Sequence, residues 1–185
     1  MSERRSLVVV TGNKGKAAEI AAITGFEVEP INLDISEIQS LNVEEVAKQK
    51  ALAAYAHVQK PVVVDDTGMS IEALKGLPGA LVSWFLDSLG PEGILKLVGD
   101  ESNRRASVST CIGFANESGA RTFLGTIYGE LTTECRGENG FGYDPIFVPD
   151  GQDRTYAEMT SEEKNSHSMR KEALTKFKAF LSTSE

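Results

Sequence analysis

The stretch SLVVVTGNKGKAAEI, Ser6 to Ile20, decides the fold class. Around the apolar run Leu7-Val8-Val9-Val10, Ser6–Thr11 reads as a buried strand. Gly12 and Gly15 bracket the turn, and from Lys14 the sequence reads as a helix through Thr24. Lys14 and Lys16 fall in the first turn of that helix. Cations are unfavourable there, because the helix dipole already places partial positive charge at the N-terminus. An unfavourable placement at a strand-to-helix turn marks an anion site. Free backbone N–H groups and lysines point at one ligand, and the glycines let it approach closely. The alternative is an exposed, lysine-decorated turn with Asn13 as N-cap. The Walker phosphate loop does not fit: Val10 stands five residues before Gly15 where a glycine is required, and Ala17 replaces the Ser or Thr. Gly12 and Gly15 also have the wrong spacing for a dinucleotide fingerprint.

Outward from this stretch the sequence alternates. Glu27–Asn32 reads as a second strand. Asn42 caps a helix over Val43–Val58, with Glu45 closing a capping box. Val62-Val63-Val64 forms a strand ending in Asp65-Asp66-Thr67-Gly68. "GLPGA", Gly76–Ala80, is a turn, Leu81–Leu89 is helical, and Pro91 starts a further helical segment through Val98. Arg105–Ala115 and Arg121–Thr132 form a long antiparallel hairpin across Asn116–Ala120. "GENGFGYDPIFVPDG", Gly137–Gly151, is an irregular loop. Thr160-Ser161-Glu162-Glu163 opens a final helix with an apolar stripe at Met169, Ala173, Phe177, Phe180 and Leu181. Alternation early and a hairpin late specify an α/β fold with a mixed sheet. No linker composition divides the 185 residues, which read as a single domain, 1–185.

The net charge of −8 makes the chain as a whole repel nucleic acid and anionic lipid, so a phosphate ligand must meet a local positive site. Cys111 and Cys135 read as free thiols in a reducing compartment. With no apolar run of bilayer-spanning length and no signal-peptide core, the expectation is a soluble, cytoplasmic protein. His57 and His167 read as surface residues, and no Cys/His metal spacing is present.

Several other residues carry potential chemistry. Adjacent carboxylates Asp65 and Asp66, at the end of a valine strand, suit a Mg²⁺ held by oxygen ligands, or else a turn. Glu37, in "DISEIQ", has no capping role. Lys50 reads as a surface lysine. Phe141 and Tyr143 place aromatic faces beside Asp144, as base stacking requires, although such a loop can also pack under the hairpin. Lys164 and Arg170 lie on the last helix.

Taken in order, "TGNKGK", "EIQ", "VVVDDTG", "GLPGA", "WFL", "GFGYDPIF", "TYAEMTSEEKN" and "RKEAL" resemble the inosine/xanthosine triphosphate pyrophosphatase family, from about Leu7 to Leu181. The resemblance implies an elongated mixed sheet flanked by helices, with two lobes and a central nucleotide cleft. It implies a homodimer and Mg²⁺-dependent cleavage of non-standard purine nucleoside triphosphates (ITP, dITP, XTP) to monophosphate and pyrophosphate, with Mn²⁺ as a substitute metal. By the same resemblance Thr11, Gly12, Asn13, Lys14, Gly15 and Lys16 hold the triphosphate, with Lys50, Thr67 and Ser83 near the phosphates and the cleft. Glu37 and Asp66 bind metal, and Asp66 activates water. Phe141, Gly142, Tyr143 and Asp144 form the purine wall, and Lys164 reads the 6-keto oxygen. The family's Ser-His-Arg is Ser168-Met169-Arg170 here in the ungapped register. Met169 therefore stands where the family places a base-contacting His, and Arg170 is left for the base or a phosphate. Two rivals remain at this stage: a pyrophosphatase for other modified nucleotides, and a non-catalytic nucleotide sensor.

Overall fold

The computed structural model describes residues 6–12 and 14–183, Lys14 in its backbone alone. Asn13, expected in the phosphate loop, lies outside the described residues, as does the Lys14 side chain.

Strand β1 (Ser6–Val10) leads into α1 (Lys14–Thr24), which returns the chain to β2 (Glu27–Ile31), parallel to β1. After a long irregular connection, α2 (Val43–Val58) precedes β3 (Val62–Ile71), which joins β1 on its other side, again in parallel. The two-residue strand β4 (Pro78–Gly79) pairs back on β3. Next come α3 (Val82–Val98), the hairpin β5 (Arg105–Asn116) and β6 (Gly119–Leu131), β7 (Phe147–Pro149), α4 (Ser161–Ser166) and α5 (Met169–Thr183). Among the described residues the sheet has seven strands in the order β2-β1-β3-β5-β6-β7, with β4 beside β3. It is parallel around β1 and antiparallel from β3 onward.

Side chains alternate between the faces of a strand, and the packing follows that period. Leu7, Val9, Val63, Ile112 and Phe114 face α1 and α5, where they bury Ile20, Leu174 and Phe177. Val8, Val10, Val62 and Val64 face α2 and pack on Ala51 and Ala54. A third core gathers Met69, Ile94, Val108, Ile146, Phe147, Tyr156 and Met169 beneath α3 and the loop after β6. Glycine sets two close approaches. A Cβ on Gly113 would stand 2.6 Å from the Ala47 carbonyl of α2, and one on Gly125 would stand 1.9 Å from the Met169 carbonyl of α5. The helices lie that near because those strand positions carry no side chain.

Between Gly119 and Tyr128 the outer side of β6 pairs with no strand among the described residues. Helix α5 covers part of it. Glu172 accepts the Thr126 N–H at 3.2 Å, and Lys176 donates to the Leu124 carbonyl at 2.7 Å.

The structure corrects four sequence expectations. The valine strand does not end at Asp65: β3 continues to Ile71, because β5 supplies an antiparallel partner for every residue from Val62 to Ile71. The last helix is two. Helix α4 stops at Ser166, whose hydroxyl donates to the Glu163 carbonyl, and Ser168 starts α5 by accepting the Lys171 N–H. Asn42 caps α2, accepting the N–H groups of Glu44 and Glu45, but Glu45 does not return to it. Ser40 lies between them, accepting from the Asn42 N–H and donating to Glu45. The hairpin loop is shorter than expected, since Asn116 already pairs with Gly119. The break inside α3 falls at Gly90 (φ 69°, ψ 174°), just before the Pro91 that marks it in the sequence.

Candidate active site

Because β3 runs straight through Asp65-Asp66, the two adjacent carboxylates point to opposite faces of the sheet. They do not converge on one ion, which corrects the reading of the pair as a shared metal site. Each has its own surroundings.

Asp65 shares the face of Val63, toward α1 and α5. Its carboxylate accepts from Lys16 Nζ at 3.0 Å and from Arg170 Nε and Nη2 at 3.2 and 3.0 Å. Arg170 Nη1 reaches Glu19 at 3.2 Å, and Glu19 is one turn along α1 from Lys16. Burial alone would raise the Asp65 pKa, but the charges of Lys16 and Arg170 and their hydrogen bonds hold it below the ordinary carboxylate value. Arg170 is therefore committed to two carboxylates rather than held in reserve for a base. Thr67, on the same face, lies 3.5 Å from the Thr110 hydroxyl.

Asp66 shares the face of Val64, toward α2. Lys50 Nζ is 3.8 Å from Asp66 Oδ1 and 2.5 Å from Glu37 Oε1. Lys50 is thus largely buried and bridges two acids, not a surface lysine. Glu37 comes from the irregular connection before α2. Asp66 Oδ2 is buried and, among the described residues, has no hydrogen-bond partner. Burial, reinforced by the charges of Glu37 and Asp65 and opposed by Lys50 and Lys16, pushes Asp66 up to about 7. For Lys50, burial would lower the pKa, but the hydrogen bond to Glu37 and the charges of Asp66 and Glu37 raise it.

A bare carboxylate oxygen beside a second, half-exposed carboxylate is a hard-oxygen donor set, and this fits a small divalent cation. No cluster of three or more His, Cys, Asp or Glu suited to a metal occurs among the described residues. Mg²⁺ is suited to such sparse provision, since it keeps waters and takes substrate phosphate oxygens as its remaining ligands.

The turn between β1 and α1 falls where the sequence predicts it. The Thr11 N–H donates to the Ile31 carbonyl at 2.9 Å, which fixes the exit from β1. Gly12 and Gly15 are exposed at the start of α1.

The aromatic loop forms a second group. Asp144 is buried. It accepts the Phe141 N–H at 2.8 Å and Lys164 Nζ at 2.5 Å, and so ties the loop to α4. Lys164 Nζ stands 5.0 Å above the Phe141 ring centre and 5.4 Å above that of Tyr156. Phe141 is 70% exposed, which for a large aromatic ring is an open stacking face. Tyr143 is buried, and burial together with the Asp144 charge raises its phenol pKa far above the ordinary value. Met169 is buried beside it in the same core. Tyr143 and Met169 are thus core residues rather than open faces. A Cβ on Gly142 would stand 3.2 Å from Leu86 Cδ1 of α3, so the loop leans on that helix. Ser83 is exposed on α3, one turn before Leu86.

Sequence reasoning passed over Asp65 as an organiser and Glu19 altogether. Strand alternation carried the signal for the first, and the three-residue spacing from Lys16 for the second. A 410 Å³ cavity, lined among others by Leu131, Arg136, Pro149 and Gln152, shares no residue with either group. Among the described residues no helix is long and apolar enough to cross a membrane.

Fold and site define a class: a mixed-sheet α/β protein with a bare carboxylate inside β3, just past its parallel pairing with β1, and cations on both faces of the sheet beside it. The comparisons with known proteins narrow it. The pattern of the Ham1 family matches residues 7–180, and the chain belongs to that family. A dITP/XTP pyrophosphatase of Methanopyrus kandleri is 45% identical over 175 residues, covering 92% of this chain and 93% of that protein. An inosine triphosphate pyrophosphatase of Schizosaccharomyces pombe is 40% identical, covering 98% and 97%. The solved structure of the Staphylococcus aureus Ham1 protein superposes with a TM-score of 0.90 at 32% identity, covering 98% of this chain and 100% of that one.

Proposed function

We propose that the protein hydrolyses non-standard purine nucleoside triphosphates (ITP, dITP and XTP) to the monophosphate and pyrophosphate, and so keeps them out of nucleic acid. Membership of the Ham1 family and relatives named for these substrates support the reaction class. The observation that carries the chemistry is Asp66 Oδ2, a buried carboxylate oxygen with no partner, on a group held near neutral pKa.

Glu37 and Asp66 would hold the divalent cation, Mg²⁺ or in its place Mn²⁺. When bound, it supplies charge neutralisation of the triphosphate oxygens and Lewis-acid polarisation. The chain's own groups do the rest. Asp66, whose second oxygen is left bare among the described residues, orients or deprotonates the attacking water. Lys16, Lys50 and the N–H groups opening α1 stabilise the negative charge that grows on the leaving pyrophosphate. Phe141 offers its face to the purine. Lys164, a donor without acceptors, pairs with a 6-keto oxygen and leaves the 6-amino group of adenine unmatched. Asp144 aims Lys164 and fixes Phe141 at once. The protein works as a cytoplasmic homodimer in this reading.

The decisive assay is pyrophosphate release with Mg²⁺ from ITP, XTP and dITP against ATP and GTP. Strong preference for the first three is expected. Equal rates on ATP would remove Lys164 as the reader of the base. Tight nucleotide binding without release would identify a sensor instead.

A further inference from the structure

Lys50 stands in an unusual place for a phosphate-binding lysine. Its ammonium does not project into open solvent but lies between the two acids assigned to the metal, 2.5 Å from Glu37 Oε1 and 3.8 Å from Asp66 Oδ1. Glu37 comes from a connection without regular structure, and its side chain is 46% exposed. Lys50 is its one ion-pair partner among the described residues. Without that ammonium, two carboxylates would face each other across a partly buried space, and repulsion would drive Glu37 outward. Lys50 therefore does for this acid pair what a divalent cation does: it supplies positive charge between them. The match is incomplete. It satisfies Glu37 closely and leaves Asp66 Oδ2 bare.

Two cations would compete for that space. A Mg²⁺-sized ion needs carboxylate oxygens at about 2.0–2.1 Å. An ammonium hydrogen-bonded to the same Glu37 oxygen would be pressed against it. The four-carbon stem of lysine allows the head to leave while its base stays on α2.

We propose that Lys50 is a placeholder cation: it holds Glu37 against Asp66 in the nucleotide-free protein, yields its position to the incoming divalent metal, and only then turns its charge to the triphosphate. Metal loading and the lysine–phosphate contact are then one linked event. The inference rests on the assignment of Glu37 and Asp66 as metal ligands.

The test is Mn²⁺ binding to the purified, nucleotide-free protein, followed by the EPR signal of free Mn²⁺. Lys50→Met and Lys50→Gln should bind Mn²⁺ about tenfold more tightly than wild type, because a competing like charge has gone. Asp66→Asn should bind it far more weakly. Unchanged or weakened Mn²⁺ affinity in both Lys50 variants, with wild-type binding intact, overturns the placeholder and leaves the metal assignment standing. Failure of every protein to bind Mn²⁺ at millimolar concentration without nucleotide overturns the placeholder, and the metal assignment falls with it only if binding also fails in the presence of a non-hydrolysable nucleoside triphosphate. A second measurement needs no variant. Pulse acetylation read by mass spectrometry should label Lys50 of the wild-type protein several-fold faster with Mn²⁺ present, and protection by Mn²⁺ contradicts the exchange.

Discussion

Asp65 and Asp66 are neighbours on one strand, yet they live in opposite electrostatic worlds. Asp65 looks toward α1 and α5, where Lys16 and Arg170 surround it and its ionised form is favoured. Asp66 looks toward α2, where one lysine must serve two acids and an oxygen goes unpaired. The first is structural in effect: it fixes the positions of Lys16 and Arg170. The second is unsatisfied, and an unsatisfied carboxylate is the one available for chemistry. The lesson is general for strands that cross an active site. Alternation lets a single step in sequence separate the group that builds the site from the group that reacts.

The comparison can be broken most severely at Asp66. Asp66→Asn should reduce turnover by about a thousandfold or more, the loss expected when a base and its metal contact go together. Retention of near-normal pyrophosphate release would end the assignment. The same variant should be more stable than wild type at pH 8. With its folded pKa raised to about 7, Asp66 contributes stability that is complete below about pH 4 and lost as pH rises through 7. Chemical denaturation should thus show a gain of roughly 1–3 kcal/mol at pH 8 that vanishes at pH 4. Asp65→Asn sharpens the contrast. It removes the shared partner of two part-buried cations and should cost about 3–5 kcal/mol at neutral pH. Its sign is opposite: the lowered pKa of Asp65 gives stability present above its unfolded value and lost as pH falls through the folded one. Urea titrations at pH 7 and pH 3 would test this, and equal cost at both refutes it.

Smaller effects are expected at the base wall. Lys164→Met should lower kcat/KM for ITP roughly 10–100-fold and narrow the preference over ATP, read from the two substrates side by side. Phe141→Ala should raise KM about tenfold for every purine alike, since stacking is worth about 1–3 kcal/mol and ignores base edges. Met169→His should not restore a base contact. It places an imidazole in the apolar core around Tyr143 and Met159, and should lower stability by about 1–3 kcal/mol with selectivity unchanged.

Much of this was legible in sequence, for identifiable reasons. The valine run, the turn glycines and the Asn42 and Thr160 caps act locally, so they predicted β1, α1 and α2 almost residue for residue and the start, though not the end, of α4. The resemblance supplied the candidate site residues. What sequence hid was partner-dependent. Asp-Asp-Thr-Gly is turn chemistry until β5 pairs with it and carries the strand onward. Lys50 is a surface lysine until Glu37 is brought over it. Arg170 is free for a nucleotide until Asp65 and Glu19, more than a hundred residues earlier, claim it. Tyr143 and Phe141 are two residues apart and alike in composition, and only the packed core tells which ring is buried and which is open.

The side chains that α5 lays along β6 have a meaning apart from catalysis. An uncovered strand edge is a template on which another chain can polymerise. Glu172 takes the Thr126 N–H, and Lys176 takes the Leu124 carbonyl, groups a foreign strand would need. The glycine at position 125 is what lets α5 come close enough to do so. The helix therefore occupies two edge groups of β6 that a foreign strand would pair with.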